Sequence, residues 1–333
     1  MLKNKFLSLL ILVISGNVFA TCQLDQGTPH IFNIKSATIT IDASARQDTS
    51  VPIYEDDSGP QGAELSYINC DNGEMYGRNV MHLSGQDSST KIFQTNVPGI
   101  GIKVLMRNNN GGNPLNFPAS GPMQFEDGSA QGRFVCPAES YFTIQLFKTQ
   151  PTLTLTNKGG DVVLPAEEIA YTWVTADNPA KYTRRLNIGQ LMIISTPSCT
   201  YDNAKTVDFG TVTTNTLTAS GIARDLDFSL ICKTDYGNYS ASAAISTQTA
   251  TSDLKYIKVK DAAGNMDRLA IKITDSKNND MMVDGSTNEI LTSVANDVAA
   301  EFKWHATLYP TGNGKLPENG AFTAQAEILL QVK

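Results

Sequence analysis

Apolar and polar positions alternate along most of this chain in short runs: Thr38–Asp42, Leu65–Cys70, Ile100–Met106, Arg133–Val135, Tyr141–Phe147, Leu153–Leu155, Phe228–Cys232, Tyr256–Lys260, Leu269–Thr274 and Phe302–Tyr309. A period of two places successive side chains on opposite faces of a strand, and no segment offers the i, i+3, i+4 spacing of an amphipathic helix. Turn chemistry separates the runs at Asn110-Gly111-Gly112-Asn113-Pro114, Gly159-Gly160, Asp284-Gly285 and Gly312-Asn313-Gly314. The pattern predicts an all-β architecture of sandwich type. The last run, Ala321–Lys333, puts Phe322, Ala324, Ala326, Ile328, Leu330 and Val332 on one face and predicts a closing strand.

At 333 residues the chain accommodates two such domains, each able to bury its own core. The rhythm breaks across Ala176–Asn187, which carries Asp177, Asn178, Pro179, Lys181, Arg184 and Arg185, before Leu191-Met192-Ile193-Ile194 resumes it. The division is expected there, giving residues 21–185 and 186–333. Ahead of both, Met1–Ala20 combines Lys3 and Lys5, the apolar run Phe6–Ile14 and small residues before Thr21, the layout of a secretory signal peptide. The apolar run is too short to span a bilayer, so the exported chain is expected to be soluble.

The formal charge of -7, with no cluster of Lys or Arg, argues against nucleic acid as a partner. Export changes the meaning of the five cysteines: in an oxidising compartment they read as disulfides, and no CxxC pair or histidine cluster supports a metal or other cofactor. Cys199 and Cys232 stand alone in the second module and are expected to pair. Three cysteines in the first module allow one bond. Cys22 with Cys70 would staple the start of the chain to a strand, leaving Cys136 as a buried small hydrophobe in preference to a reactive thiol.

The second module carries Pro197-Ser198-Cys199-Thr200, Val207-Asp208-Phe209-Gly210-Thr211-Val212, Phe228–Cys232 and the closing Gly320-Ala321-Phe322-Thr323-Ala324 segment. In these it resembles the pilin domain of chaperone-usher fimbriae. The first module has Cys22, Tyr67-Ile68-Asn69-Cys70-Asp71, Val97-Pro98-Gly99-Ile100-Gly101-Ile102 and Phe142–Thr149. It resembles the receptor-binding domain of two-domain tip adhesins, nearest the type 3 fimbrial adhesin and more distantly the mannose-binding type 1 adhesin. The resemblance implies two immunoglobulin-like β-sandwiches in tandem, the second an incomplete pilin fold lacking its final strand. Such a fold leaves a groove that a periplasmic chaperone, and then a strand of the adjacent fimbrial subunit, fills. It further implies passage through an outer-membrane usher to the fimbrial tip on the cell surface. Phe322, Ala324, Ala326, Ile328, Leu330, Val332 and Lys333 are the expected groove and chaperone contacts, although many pilins carry a penultimate Tyr where this chain has Val332. A whole domain stands where an ordinary pilin has a donor segment, which marks a terminal subunit.

For the receptor, a host glycan or matrix protein, the resemblance points to Asp71, Asn72, Glu74 and Tyr76 after the second cysteine, and to Thr149 and Gln150 after a later strand. Short acidic and amide groups suit hydroxyls and Tyr76 can stack on a ring, though Asp-Asn-Gly is also ordinary turn chemistry. Tyr54-Glu55-Asp56-Asp57 and Arg107–Gly111 are weaker loop candidates. An enzyme is disfavoured: Ser58, in Asp57-Ser58-Gly59-Pro60, lacks a matching histidine context, and His305 sits in a strand beside Trp304. Adjacent carboxylates such as Glu167-Glu168 would point to opposite faces of a strand. The remaining alternative is a minor structural or adaptor subunit without receptor binding.

Overall fold

The computed structural model describes residues 22–333; the expected signal peptide lies outside the described residues. The described chain is built of strands, with one short 3-10 turn at Pro179–Lys181 that the Asn178 side chain caps by accepting from the Ala180 amide at 2.9 Å.

The first module stacks two five-stranded sheets. One has the order Ala119–Pro122, Met75–Val80, Glu167–Val174, Tyr182–Ile188, His30–Ile34; the other has Tyr54–Asp57, Tyr141–Lys148, Ile100–Arg107, Phe93–Gln94, with Pro114–Asn116 also paired to Ile100–Arg107. Alternation sends Phe32, Ile102, Phe142, Ile144, Leu146 and Leu186 into one buried core between them. Two smaller sheets extend it: Gln23–Gln26, Leu65–Asp71, Gln131–Cys136, and Asp161–Leu164, Leu191–Thr196, Ala37–Asp42. Two stretches of chain cross between sheets side by side and in parallel. His30–Ile34 and Ala37–Asp42 form one, Tyr182–Ile188 and Leu191–Thr196 the other. At their common corner a Cβ on Gly189 would stand 2.3 Å from the Ser36 amide, so only glycine permits the approach. Their shared direction gives the module a pole near His30 and Tyr182 and an opposite pole near Asp42 and Thr196, from which the chain leaves.

This corrects the expected division at residue 185. Arg185 lies inside a strand of the first module, and Leu191 and Ile193, both fully buried, fill its core. Pro197 alone separates Thr196 from Ser198, where the second module begins. The break in rhythm that suggested a boundary is the turn joining Glu167–Val174 to Tyr182–Ile188.

The second module faces a sheet of order Ser198–Tyr201, Ile222–Lys233, Ala299–Pro310, Leu269–Thr274, Ile257–Val259 against a three-stranded one of Asp284–Ala295, Asn238–Ser246, Glu327–Val332. Trp304, Phe302 and Tyr239 are buried at its centre. Disulfides join Cys199 to Cys232 and Cys22 to Cys70, closing separations of 33 and 48 residues, and Cys136 is a buried free thiol. On a chain-entropy basis each bond contributes about 3–4 kcal/mol.

Two expected strands differ. The closing strand begins at Glu327, because Thr323 is bridged to Lys260 and the Gln325 carbonyl accepts from Thr247, so Ala321–Ala326 crosses from one sheet to the other. Leu153 and Leu155 are buried as their alternation requires but form no strand; their amides donate to Asp235 of the second module.

Candidate functional site: an open groove and a distal turn

Ser198–Tyr201 and Glu327–Val332 are edges of different sheets, each paired on one side only. Between them lies a cavity of about 1560 Å³ whose floor includes Leu226, Phe228, Leu230, Ile257, Ile271 and Ile273. Phe322, Ala324, Ala326, Ile328, Leu330 and Val332 all line it, the first three from the crossing segment and the last three from one face of the closing strand. Lys333 does not; its backbone pairs with Ser240. The other wall is the irregular segment Asp202–Leu217, where Phe209 is buried and meets Phe322 across the gap at a ring separation of 6.5 Å. The shape is that of a sandwich with one strand missing. Open backbone edges combined with an apolar floor favour an inserted extended segment, since each fully buried aliphatic side chain contributes about 1.5–3 kcal/mol.

At the far pole of the first module, Asp71–Glu74 turns the chain between Leu65–Asp71 and Met75–Val80. Gly73 takes φ +92°, and the Glu74 amide donates to the Asp71 carbonyl at 3.0 Å. The turn is fixed from outside as well: the Asn72 amide donates to Ala130, the Gly73 amide to Met123, and Gln131 Nε2 to Asp71 Oδ1 at 2.8 Å. The Cys22–Cys70 bond stands directly behind it, with the Glu74 carboxylate within 4.8 Å of both sulfurs. Because those sulfurs are bonded to each other, the three residues form no metal site. With its backbone held, the turn presents exposed Asp71, Asn72, Met75 and Tyr76, and the Tyr76 ring lies 4.7 Å from Phe134.

Beneath this surface, burial and the neighbouring Cys136 push the Tyr67 hydroxyl up to about 12. Burial likewise raises the Cys136 thiol, against the opposing pull of the Arg184 guanidinium, which donates to the Pro137 carbonyl. A buried thiol held in its neutral form packs as a hydrophobe.

Thr149 and Gln150 do not join the distal turn. Tyr141–Lys148 runs from the far pole, where Ser140 bonds Pro137, towards the linker, where Lys148 reaches the Ala45 carbonyl. Thr149 and Gln150 therefore lie at the linker end, beside Gly99 and Leu153. Tyr54–Asp57 is an edge strand instead of a loop, with Tyr54 pushed up to about 12 by burial and Asp56. Arg107–Gly111 is a hairpin connection in which Arg107 holds the Gly112 carbonyl. Ser58 Oγ accepts from the Phe142 amide, and His305 pairs with Asp225 at 3.4 Å. Sequence reasoning missed Phe134 and Gln131; the alternation around Arg133–Val135 was the available signal for Phe134.

The described residues thus form two modules, one with an open groove between unpaired strand edges and one with a held, exposed turn at its far pole. Residues 189–333 match the family model described as fimbrial protein, and residues 59–159 match the MrkD-like receptor binding domain. The chain belongs to the tip adhesins of chaperone-usher fimbriae, exported through the periplasm to the cell surface. No curated protein matches it. Solved structures of similar fold include the receptor binding domain of the plasmid-borne adhesin MrkD1P of Klebsiella pneumoniae, at 18% identity over 54% of this chain and 98% of that one, with a TM-score of 0.32. The CupB6 tip adhesin of Pseudomonas aeruginosa matches at 13% identity over 93% and 94%, TM-score 0.37. The chaperone-tip adhesion subunit complex CsuC-CsuE of Acinetobacter baumannii matches at 13% over 92% and 99%, TM-score 0.40.

Proposed function

We propose that this tip adhesin meets its receptor through the distal surface formed by Asp71, Asn72 and Tyr76 with Met75 and Phe134, and is anchored by strand insertion into the groove lined by Phe322–Val332. The observation that carries the reading is the polarity of the molecule: the groove belongs to the module nearest the fimbria, and the exposed turn stands at the pole opposite the linker. Asp71 and Asn72 offer acceptors and donors on a backbone that cannot recoil, and Tyr76 adds a ring face, a combination that serves a glycan or a matrix-protein side chain. Glu74 supports the turn from within, since its carboxylate accepts from the Asp71 amide at 3.2 Å. The periplasmic chaperone occupies the groove first and the adjacent subunit replaces it at the usher. The turn binds and releases its receptor unchanged, so the chain is not an enzyme.

An array of glycans and matrix proteins probed with intact fimbriae tests the reading. Wild-type fimbriae are expected to mark a small set of spots that the Asp71→Ala/Asn72→Ala variant leaves blank at equal tip display. Equal labelling by both rejects the distal surface, and gold labelling along the shaft instead of the tip would favour an adaptor.

A further inference from the structure

Pro197 is the whole covalent link between the modules, yet a second connection runs beside it. The strand Ile222–Lys233, whose Leu226, Phe228 and Leu230 floor the groove, continues into Thr234-Asp235-Tyr236 at the base of the first module. Asp235 is 1% exposed. One of its carboxylate oxygens accepts from the Leu153 amide at 2.9 Å, the other from Ser195 Oγ at 2.6 Å, and its carbonyl accepts from the Leu155 amide at 2.8 Å. Tyr236 Oη accepts from the Ser195 amide at 3.1 Å, and its ring packs on the core of the first module. Close by, Lys148 has no exposed surface; it is held by the Ala45 carbonyl and feels the charges of Asp235 and Asp42.

A buried carboxylate is tolerated only where its hydrogen bonds are complete, and here the donors come entirely from the other module. The buried leucines Leu153 and Leu155 find no strand of their own for their amides. We infer that the Asp235-Tyr236 turn is a plug supplied by the pilin module that completes the base of the receptor module, so that the two sandwiches unfold as one cooperative unit. The plug is the end of a groove-floor strand, so an occupant that holds that strand in place also holds the base of the receptor module. Removing the carboxylate leaves the Leu153 amide and the Ser195 hydroxyl buried without partners.

Hydrogen exchange and calorimetry on the full chain in complex with its periplasmic chaperone test this. In the wild type, the amides of Leu153, Leu155 and Ser195 are expected to exchange as slowly as those of Leu226–Leu230, and both modules to melt in a single transition. In Asp235→Ala the Leu153–Leu155 amides should exchange at least tenfold faster and the single transition should split in two; Asp235→Asn, which keeps an acceptor, should restore most of the protection. Should Asp235→Ala fail to accumulate, Tyr236→Phe, which removes only the acceptor of the Ser195 amide, should speed exchange of that amide by a smaller factor. Two separate transitions in the wild type, unchanged exchange at Leu153–Leu155 in Asp235→Ala, or unchanged exchange at Ser195 in Tyr236→Phe, overturn the inference.

Discussion

The two sandwiches use the same strand chemistry and finish it differently. In the receptor module both large sheets close over a continuous core, and the far pole presents a turn whose backbone is hydrogen-bonded within itself and to neighbouring segments. In the pilin module a comparable core is split open, with two strand edges and a row of aliphatic side chains facing the gap. A complete sandwich can spend a loop on recognition by side chains; an incomplete one recognises by backbone and needs its partner to be stable. The difference lies in a single strand.

The comparison breaks most dramatically at the groove floor. Phe228→Asp places an unpaired charge in the cavity and should reduce periplasmic yield by at least tenfold even with chaperone present, measured by immunoblot, whereas Tyr76→Asp at the distal pole should leave yield unchanged. Removing the chaperone should have the same effect as Phe228→Asp; full yield without it contradicts an open groove. Next in size, losing Cys199–Cys232 by double Ser substitution should cost about 2–5 kcal/mol and the module that most needs support, read by urea unfolding of the chaperone complex.

A smaller effect separates the modules by pH. Hydrogen bonds from the Asn265 side chain, and from the amides of Glu318, Asn265 and Ala263, hold Asp261 down to about 2, and Glu318 lies in the groove wall. Because the folded value lies below the ordinary carboxylate value of about 4, the stabilisation is present above pH ~4 and lost as pH falls towards ~2. Asp261→Asn should flatten the acid limb of chaperone-complex stability in that window. The smallest effect concerns Cys136: iodoacetamide at pH 8 should label no thiol in the native chain and one per chain in denaturant.

Much of this was legible in the residues. Alternation identified strands such as Tyr141–Lys148, Leu269–Thr274 and Ala299–Pro310 because period two has no helical counterpart, but it did not single out His30–Ile34, Glu167–Val174 or Asn238–Ser246; the even positions from Phe322 to Val332 face one cavity. The division of domains was not legible, because Leu191–Thr196 reads as a strand whichever core it enters, and only its parallel partner Ala37–Asp42 assigns it. Leu153–Leu155 has strand periodicity, but its amides bond Asp235, a partner far along the chain. The distal turn was visible in Asp71-Asn72-Gly73, whereas the separation of Thr149 and Gln150 from it depends on the direction of a strand, which local sequence does not encode.

The most direct test sets the two ends of the receptor module against each other. Fimbriae carrying Asp71→Ala/Tyr76→Ala and fimbriae carrying Thr149→Ala/Gln150→Ala are compared for adhesion to the receptor found by array, normalised to tip subunits counted by immunogold. Loss of at least tenfold in the distal pair and none in the proximal pair is the predicted result; equal adhesion in both, or loss only in the proximal pair, would contradict the account.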